Sequence, residues 1–210
     1  MAEIINGLFP GKILPTKTLG GCIDVFENVW PYPENTIETV ENLNKDPESG
    51  ISWERATTLN KGTDQEIRTN VMLGVTNLSQ ITNNGHLQNV HNQFYMLLLA
   101  TTIDYSDRYR IGEPLYHENY NMLRYRGGQQ YHQHYDGSTQ TGRTISAICY
   151  LNEDYAGGEL EFPNFNVKIK PKKGSLLLFP SNYAYSHVAH PVTEGQKYAL
   201  VTWIRDRYID

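Results

Sequence analysis

The chain has 210 residues, 39% hydrophobic and 20% charged, a composition that suits one globular domain with a substantial core. Its 18 Lys and Arg against 23 Asp and Glu give a formal charge of -5 and no basic run, which argues against a nucleic-acid partner. Two cysteines, Cys22 and Cys149, argue against a disulfide framework or a thiolate metal site.

The first segment, MAEIINGLFPGKIL, has no charged leader followed by an apolar block, and no apolar run approaches the ~20 residues that span a bilayer. A soluble, cytoplasmic protein without a membrane partner is expected. PENTIETVENLNKD, from Pro33, predicts a helix: Ile37, Val40 and Leu43 recur at helical spacing, and Asn35 three residues before Glu38 suggests a capping box. IRTNVMLGV, residues 67–75, reads as a strand. After NNG at 83–85, Leu87, Val90, Phe94, Leu97 and Leu98 form the apolar stripe of a longer helix. Both helices are expected to support a sheet.

From about residue 114 the texture changes to short segments rich in Tyr, Ile, Val, Leu and Phe, broken by Gly, Pro and Asn. Strands are expected near 118–126, 129–136, 143–151, 158–163, 166–170, 174–180, 184–191 and 196–205, with Gly127-Gly128 as a tight hairpin between the first two. Many short strands in one region suggest a mainly β sandwich or jelly roll with flanking helices. One domain over 1–210 is expected, with 1–113 a helix-rich support and 114–210 the core.

YHQHYD, residues 131–136, puts His132, His134 and Asp136 on alternate positions of an expected strand, so they share a face. An imidazole and a carboxylate there can reach one ion. A third ligand must come from elsewhere, and YSHVAHPV offers His187 and His190. Two histidines and one carboxylate leave open positions on a metal, the arrangement that non-haem Fe(II) sites prefer. His86 and His91, five apart on a helix, do not share a face, and His117 has no partner in sequence, so all three read as surface residues.

YRGGQQYHQHYDG, YLNEDYAGGELEF, KGSLLLFP and HVAHPVTEGQKYALVTWIRD, in that order over roughly 118–206, together resemble the Fe(II)/2-oxoglutarate-dependent dioxygenases, in particular the prolyl 4-hydroxylase branch. The resemblance implies a double-stranded β-helix core. It selects His134, Asp136 and His187 as metal ligands, because Pro191-Val192 and, ten residues on, Lys197 follow His187. Lys197 is then the cation that meets the distal carboxylate of 2-oxoglutarate, which must not be buried unpaired. Tyr125, nine residues before His134, is implied as its second partner, and Leu160 stands where the family often has Thr. The implied substrate-facing residues are Tyr131, Arg143, Trp203 and Arg205, with GSTQTG at 137–142 a short, flexible connection where the family often has a longer loop.

The implied chemistry uses Fe(II), 2-oxoglutarate and O2, with ascorbate as reductant, and couples decarboxylation of 2-oxoglutarate to succinate and CO2 with C–H hydroxylation. A peptide or protein containing proline is the implied substrate. Two other readings stand beside it: the same chemistry on another side chain, free amino acid or small metabolite, with Arg143 and Arg205 anchoring an anion, and an inactive binding module on the same fold. The ligand set also accepts Mn, Co, Ni or Zn.

Overall fold

The computed structural model describes residues 13–58, 67–74, 84–112 and 116–205; residues 1–12, most of the segment read for a leader, and residue 75 of the expected first strand lie outside them. In chain order the first half contains β1 (Lys17–Leu19), β2 (Ile23–Phe26), helix α1 (Pro33–Lys45), β3 (Glu54–Arg55), β4 (Val71–Gly74) and helix α2 (Gly85–Tyr109). The strands that follow are β5 (Tyr116–His117), β6 (Asn121–Tyr125), β7 (Tyr131–His134), β8 (Arg143–Tyr150), β9 (Ala156–Gly157) and β10 (Leu160–Phe162). The last five are β11 (Val167–Ile169), β12 (Leu176–Pro180), β13 (His187–Ala189), β14 (Val192–Glu194) and β15 (Lys197–Arg205).

Among the described residues, a nine-stranded sheet runs β1-β2-β12-β8-β15-β6-β4-β3, with β5 also on β15, and a four-stranded sheet runs β11-β10-β13-β7. Period-2 alternation explains how the large sheet serves two sides. On β15, Tyr198, Leu200 and Ile204 join the core formed with the helices, whereas Lys197, Ala199, Val201 and Trp203 line a cavity between the sheets. On β8, Ile145, Ala147 and Cys149 face the helical core, and Ile148 and Tyr150 line the cavity. Leu160, Phe162 and Ile169 of the small sheet pack on Leu177 and Phe179 of the large one, closing one end of the roll.

The stripe expected on α2 is the buried one: Leu87, Phe94, Leu97 and Leu98 are fully buried, and Phe94 meets Trp30 and Tyr120 edge-on. Asn84 caps this helix, its side chain accepting the N–H groups of His86 and Leu87. Helix α1 differs from expectation. It begins at Pro33 with no side-chain cap, so Asn35 lies inside the first turn; proline, with its fixed φ and no N–H to leave unsatisfied, starts the helix three residues before a cap at Asn35 would. No helix among the described residues is long and apolar enough to cross a membrane.

Gly127 and Gly128 do form a turn, with Gln129 N–H donating to Arg126 O and Gly128 at φ +79°, but not the expected hairpin. β6 pairs with β4 and β15, whereas β7 pairs with β13, so the turn carries the chain from one sheet to the other. The 137–142 connection is likewise more ordered than its composition suggests. Ser138 O accepts the N–H groups of Thr141 and Gly142, and Thr141 Oγ1 accepts Ser138 N–H.

His91 and His117 are not surface residues. His91 bonds the hydroxyl of Tyr120, and His117 lies against Thr102 on α2 with its ring nitrogen 3.3 Å from the hydroxyl. Burial pulls the His117 pKa down from 6.5 to about 4. The unfolded chain therefore takes up a proton below pH 6.5 that the folded chain refuses until about pH 4, and stability falls as pH drops through that window, by about 3 kcal/mol at most. Denaturant midpoints at pH 7 and 4.5 check this: the acid shift in His117→Gln should be smaller than in the parent chain.

Candidate metal centre

β7 and β13 lie side by side, and their register sets His187 opposite His134. Asp136 lies two residues beyond the end of β7, in a bend where its N–H donates to Ser181 O. The ligand atoms of His134, Asp136 and His187 all lie within 4.8 Å of one another: His134 Nε2 is 3.6 Å from Asp136 Oδ1, and His187 Nε2 is 3.8 Å from Oδ2. His134 Nδ1 is 2.7 Å from His132 O and His187 Nδ1 is 3.0 Å from Tyr185 O. With each Nδ1–H given to a backbone carbonyl, each Nε2 keeps a lone pair aimed into the cluster, the orientation of a metal ligand.

The charges match that arrangement. Burial, reinforced by the neighbouring His187 imidazole and opposed by Asp136, brings the His134 pKa down to about 3, so the ring is neutral. Burial alone would raise the Asp136 pKa; the two imidazoles, Ser146 and Trp203 outweigh it and hold the carboxyl below its ordinary value. The neutral His134 imidazole and the ionised Asp136 carboxylate, with the His187 ring beside them, fit a divalent ion.

His132 is placed by an irregularity that sequence alternation could not reveal. Between the pairs His134↔His187 and Tyr131↔Ala189, β7 advances three residues while β13 advances two. This bulge turns Tyr131, rather than His132, toward the ligands. The Tyr131 ring stacks on His134 with centroids 3.4 Å apart, and His132 is exposed, contributing only its carbonyl. His190 turns away too, its Nε2 2.5 Å from Glu161 Oε2.

The cluster opens into a cavity of about 850 Å³. Deep in it, Lys197 is 2% exposed and pairs across the strands with Tyr125. Its ammonium donates to Gly158 O at 2.7 Å and lies 5.3 Å and 5.2 Å from the Tyr125 and Tyr150 ring centres. Burial, and secondarily Lys170, lowers the Lys197 pKa to about 7, while burial raises that of Tyr125 to about 12. An ammonium has three donors and one is used here, so the pocket suits a carboxylate. Leu160 lines the wall and offers no hydrogen bond.

Tyr131, Arg143 and Trp203 line the cavity; Arg205 does not and meets Arg143 on the Glu118 carboxylate. Arg143 donates to both carboxylate oxygens of Glu118, at 2.8 and 2.7 Å, and stacks 3.6 Å from the Trp203 ring centre. Arg205 donates to the same carboxylate at 2.8 Å. Sequence reasoning missed Glu118, and also Arg68, a buried residue bridged to Tyr131 with its guanidinium 4.6 Å from that ring's centre. Neither carries a local pattern; 63 residues separate Arg68 from the tyrosine it covers, a distance only pairing closes.

Residues 120–205 match the model of the 2OG-Fe(II) oxygenase superfamily. A probable prolyl 4-hydroxylase 9 of Arabidopsis thaliana is 34% identical over 119 residues, 43% of this chain and 41% of that protein. A putative prolyl 4-hydroxylase of Acanthamoeba polyphaga mimivirus is 33% identical over 110 residues, 43% of this chain and 46% of the viral one. The matches thus span less than half of these relatives' own length.

Among solved structures, a Trichoplax adhaerens prolyl hydroxylase in complex with a hypoxia inducible factor peptide fragment superposes with a TM-score of 0.70 at 22% identity, covering 88% of this chain and 83% of that one. The viral collagen prolyl hydroxylase of Paramecium Bursaria Chlorella virus-1, as its 2OG complex, gives 0.61 at 22% identity, over 90% and 98%. Both likenesses are of fold, the double-stranded β-helix. Over residues 120–205 the chain is thus similar to the 2OG-Fe(II) oxygenase superfamily. Over less than half of its length the chain is also similar to these prolyl 4-hydroxylases. The family implies Fe(II), 2-oxoglutarate and O2, and ascorbate is typical of it.

Proposed function

We propose that this chain is an Fe(II)- and 2-oxoglutarate-dependent dioxygenase that hydroxylates a proline in a peptide or protein, working as one domain in which residues 1–113 support a catalytic core over 114–210. The observation that carries this reading is the His134, Asp136 and His187 cluster facing buried Lys197 across one cavity. His134, Asp136 and His187 would hold the iron, and Lys197 with Tyr125 the distal carboxylate of 2-oxoglutarate. Bound together, these groups supply O2-driven decarboxylation of 2-oxoglutarate to succinate and CO2 and the oxidising power to hydroxylate a C–H bond.

The chain's own part is positioning and exclusion of water. The Nδ1 bonds orient both imidazoles, and the apolar wall of Leu123, Ile148, Leu160 and Val201 keeps the inner cavity dry. Tyr131, stacked between His134 and Arg68, is held rigidly in the cavity wall beside the cluster. Arg143 and Trp203, stacked on each other, line the same cavity. A peptide substrate is further supported by the Trichoplax neighbour, whose structure holds a peptide. The small-anion reading is weakened because Arg143 and Arg205 already share the Glu118 carboxylate.

The test is an aerobic incubation with Fe(II), ascorbate and 2-oxoglutarate against a panel of proline-containing peptides, following succinate and peptide mass together. One added oxygen on proline with matching succinate is the expected result. Succinate without modified peptide would redirect the search to other substrates, and no 2-oxoglutarate turnover under any condition would leave the inactive-module reading.

A further inference from the structure

The Asp136 carboxylate is held from behind by two serines. Ser146 on β8 is fully buried, its hydroxyl 2.6 Å from Asp136 Oδ2. Ser181, one residue past β12 and 2% exposed, places its hydroxyl 2.8 Å from that of Ser146. An ionised carboxylate only accepts, so the single Ser146 proton goes to Asp136; Ser181 must therefore donate to Ser146. The two bonds run in one direction, and each strengthens the other in a buried setting.

The same serine ties down the backbone. Ser181 O accepts the N–H groups of Asp136, at 3.2 Å, and of Gly137, at 2.7 Å. A Cβ at Gly137 would lie 2.6 Å from Arg143 O and 3.1 Å from both Ser181 O and Ser181 Cβ, so the bend comes this close only because the residue is glycine. Ser181 also opens the segment that leads, through a 3-10 turn at Tyr183–Tyr185, to His187.

We propose that the Ser181 to Ser146 hydroxyl chain is the positioning device of the metal centre. It fixes the rotation of the Asp136 carboxylate, with Oδ2 tied to β8 and Oδ1 turned toward His134, and locks the Asp136 bend to the segment bearing His187. This rests on the reading of His134, Asp136 and His187 as the metal ligands.

The test is Mn(II) binding to the metal-free protein, followed by electron paramagnetic resonance without 2-oxoglutarate or peptide. Ser146→Ala should weaken binding about 10- to 100-fold, the usual cost of losing a group that orients a ligand. Ser146→Thr keeps the hydroxyl and should stay within about threefold of the parent chain. Ser181→Ala leaves the Ser146 bond in place and should cost less than Ser146→Ala, and the double variant should bind no worse than Ser146→Ala alone, because a broken chain has nothing further to lose. Parent-like binding by Ser146→Ala, or a larger loss in Ser181→Ala, overturns the proposal. Asp136→Ala in the same titration separates the two readings: if it abolishes binding while Ser146→Ala does not weaken it, only the serine chain fails. Parent-like binding by Asp136→Ala sinks the ligand assignment itself. Near-UV circular dichroism of each metal-free variant verifies the fold, and if Ser146→Ala does not fold, a loss in Ser181→Ala with none in Ser181→Thr is the supporting result.

Discussion

Asp136→Ala is expected to abolish turnover, with at least a thousandfold loss in kcat/KM, about 4 kcal/mol or more in transition-state stabilisation. The carboxylate is the only acidic member of the cluster, and without it the His134 and His187 imidazoles alone are left to face a divalent ion. The fold should survive. The bend is held by backbone bonds to Ser181 that the substitution leaves in place, and burying an ionised carboxylate is itself costly in the absence of the metal. Metal titration and succinate release, measured beside a thermal unfolding curve, check both halves. Succinate release near the parent rate in a metal-loaded Asp136→Ala would remove the ligand assignment.

Lys197→Ala is expected to weaken 2-oxoglutarate binding about 10- to 100-fold, the scale of one buried charge-assisted contact, and to leave Mn(II) affinity unchanged. A pH dependence follows from the lowered pKa. With no carboxylate beside it, buried Lys197 gives up its proton near pH 7, whereas in the unfolded chain it holds it to 10.5. The unfolded state binds more protons across that interval, so the co-substrate-free protein gains stability as pH rises from 7 toward 10.5. Binding a carboxylate needs the charged form, so 2-oxoglutarate affinity should run the other way, falling above pH 7 by up to about tenfold per unit. Calorimetric titrations between pH 6.5 and 9 would show that slope. Lys197→Arg, whose guanidinium keeps its proton, should flatten it, and a slope unchanged in Lys197→Arg would assign the titration to another group.

Much of this site was legible in the chain itself. Resemblance pointed to Lys197 and Trp203, and the alternation of side chains along β15 sets both on the cavity wall. The 3.6-residue spacing of Leu87, Val90, Phe94 and Leu97 placed α2 under the sheet. These are local signals: backbone geometry fixes which neighbours share a face, so residue order alone carries them. The choice of His187 over His190 rested on resemblance, and the register opposite His134 agrees with it.

What sequence could not decide arises where one strand meets another. Strict alternation grouped His132 with His134, and a bulge against β13 put Tyr131 there instead. Two glycines between strand patterns read as a hairpin, yet β6 and β7 belong to different sheets, because pairing depends on which edge is free and not on the turn alone. The groups that orient the expected residues come from far along the chain: Arg68 over Tyr131, Glu118 between Arg143 and Arg205, and Ser146 and Ser181 behind Asp136. The sequence, through its motifs and the resemblance they carry, determined which residues to expect as ligands and as the buried cation. Tertiary structure decided what holds them in place, since a hydrogen bond between residues dozens of positions apart leaves no trace in the spacing of either.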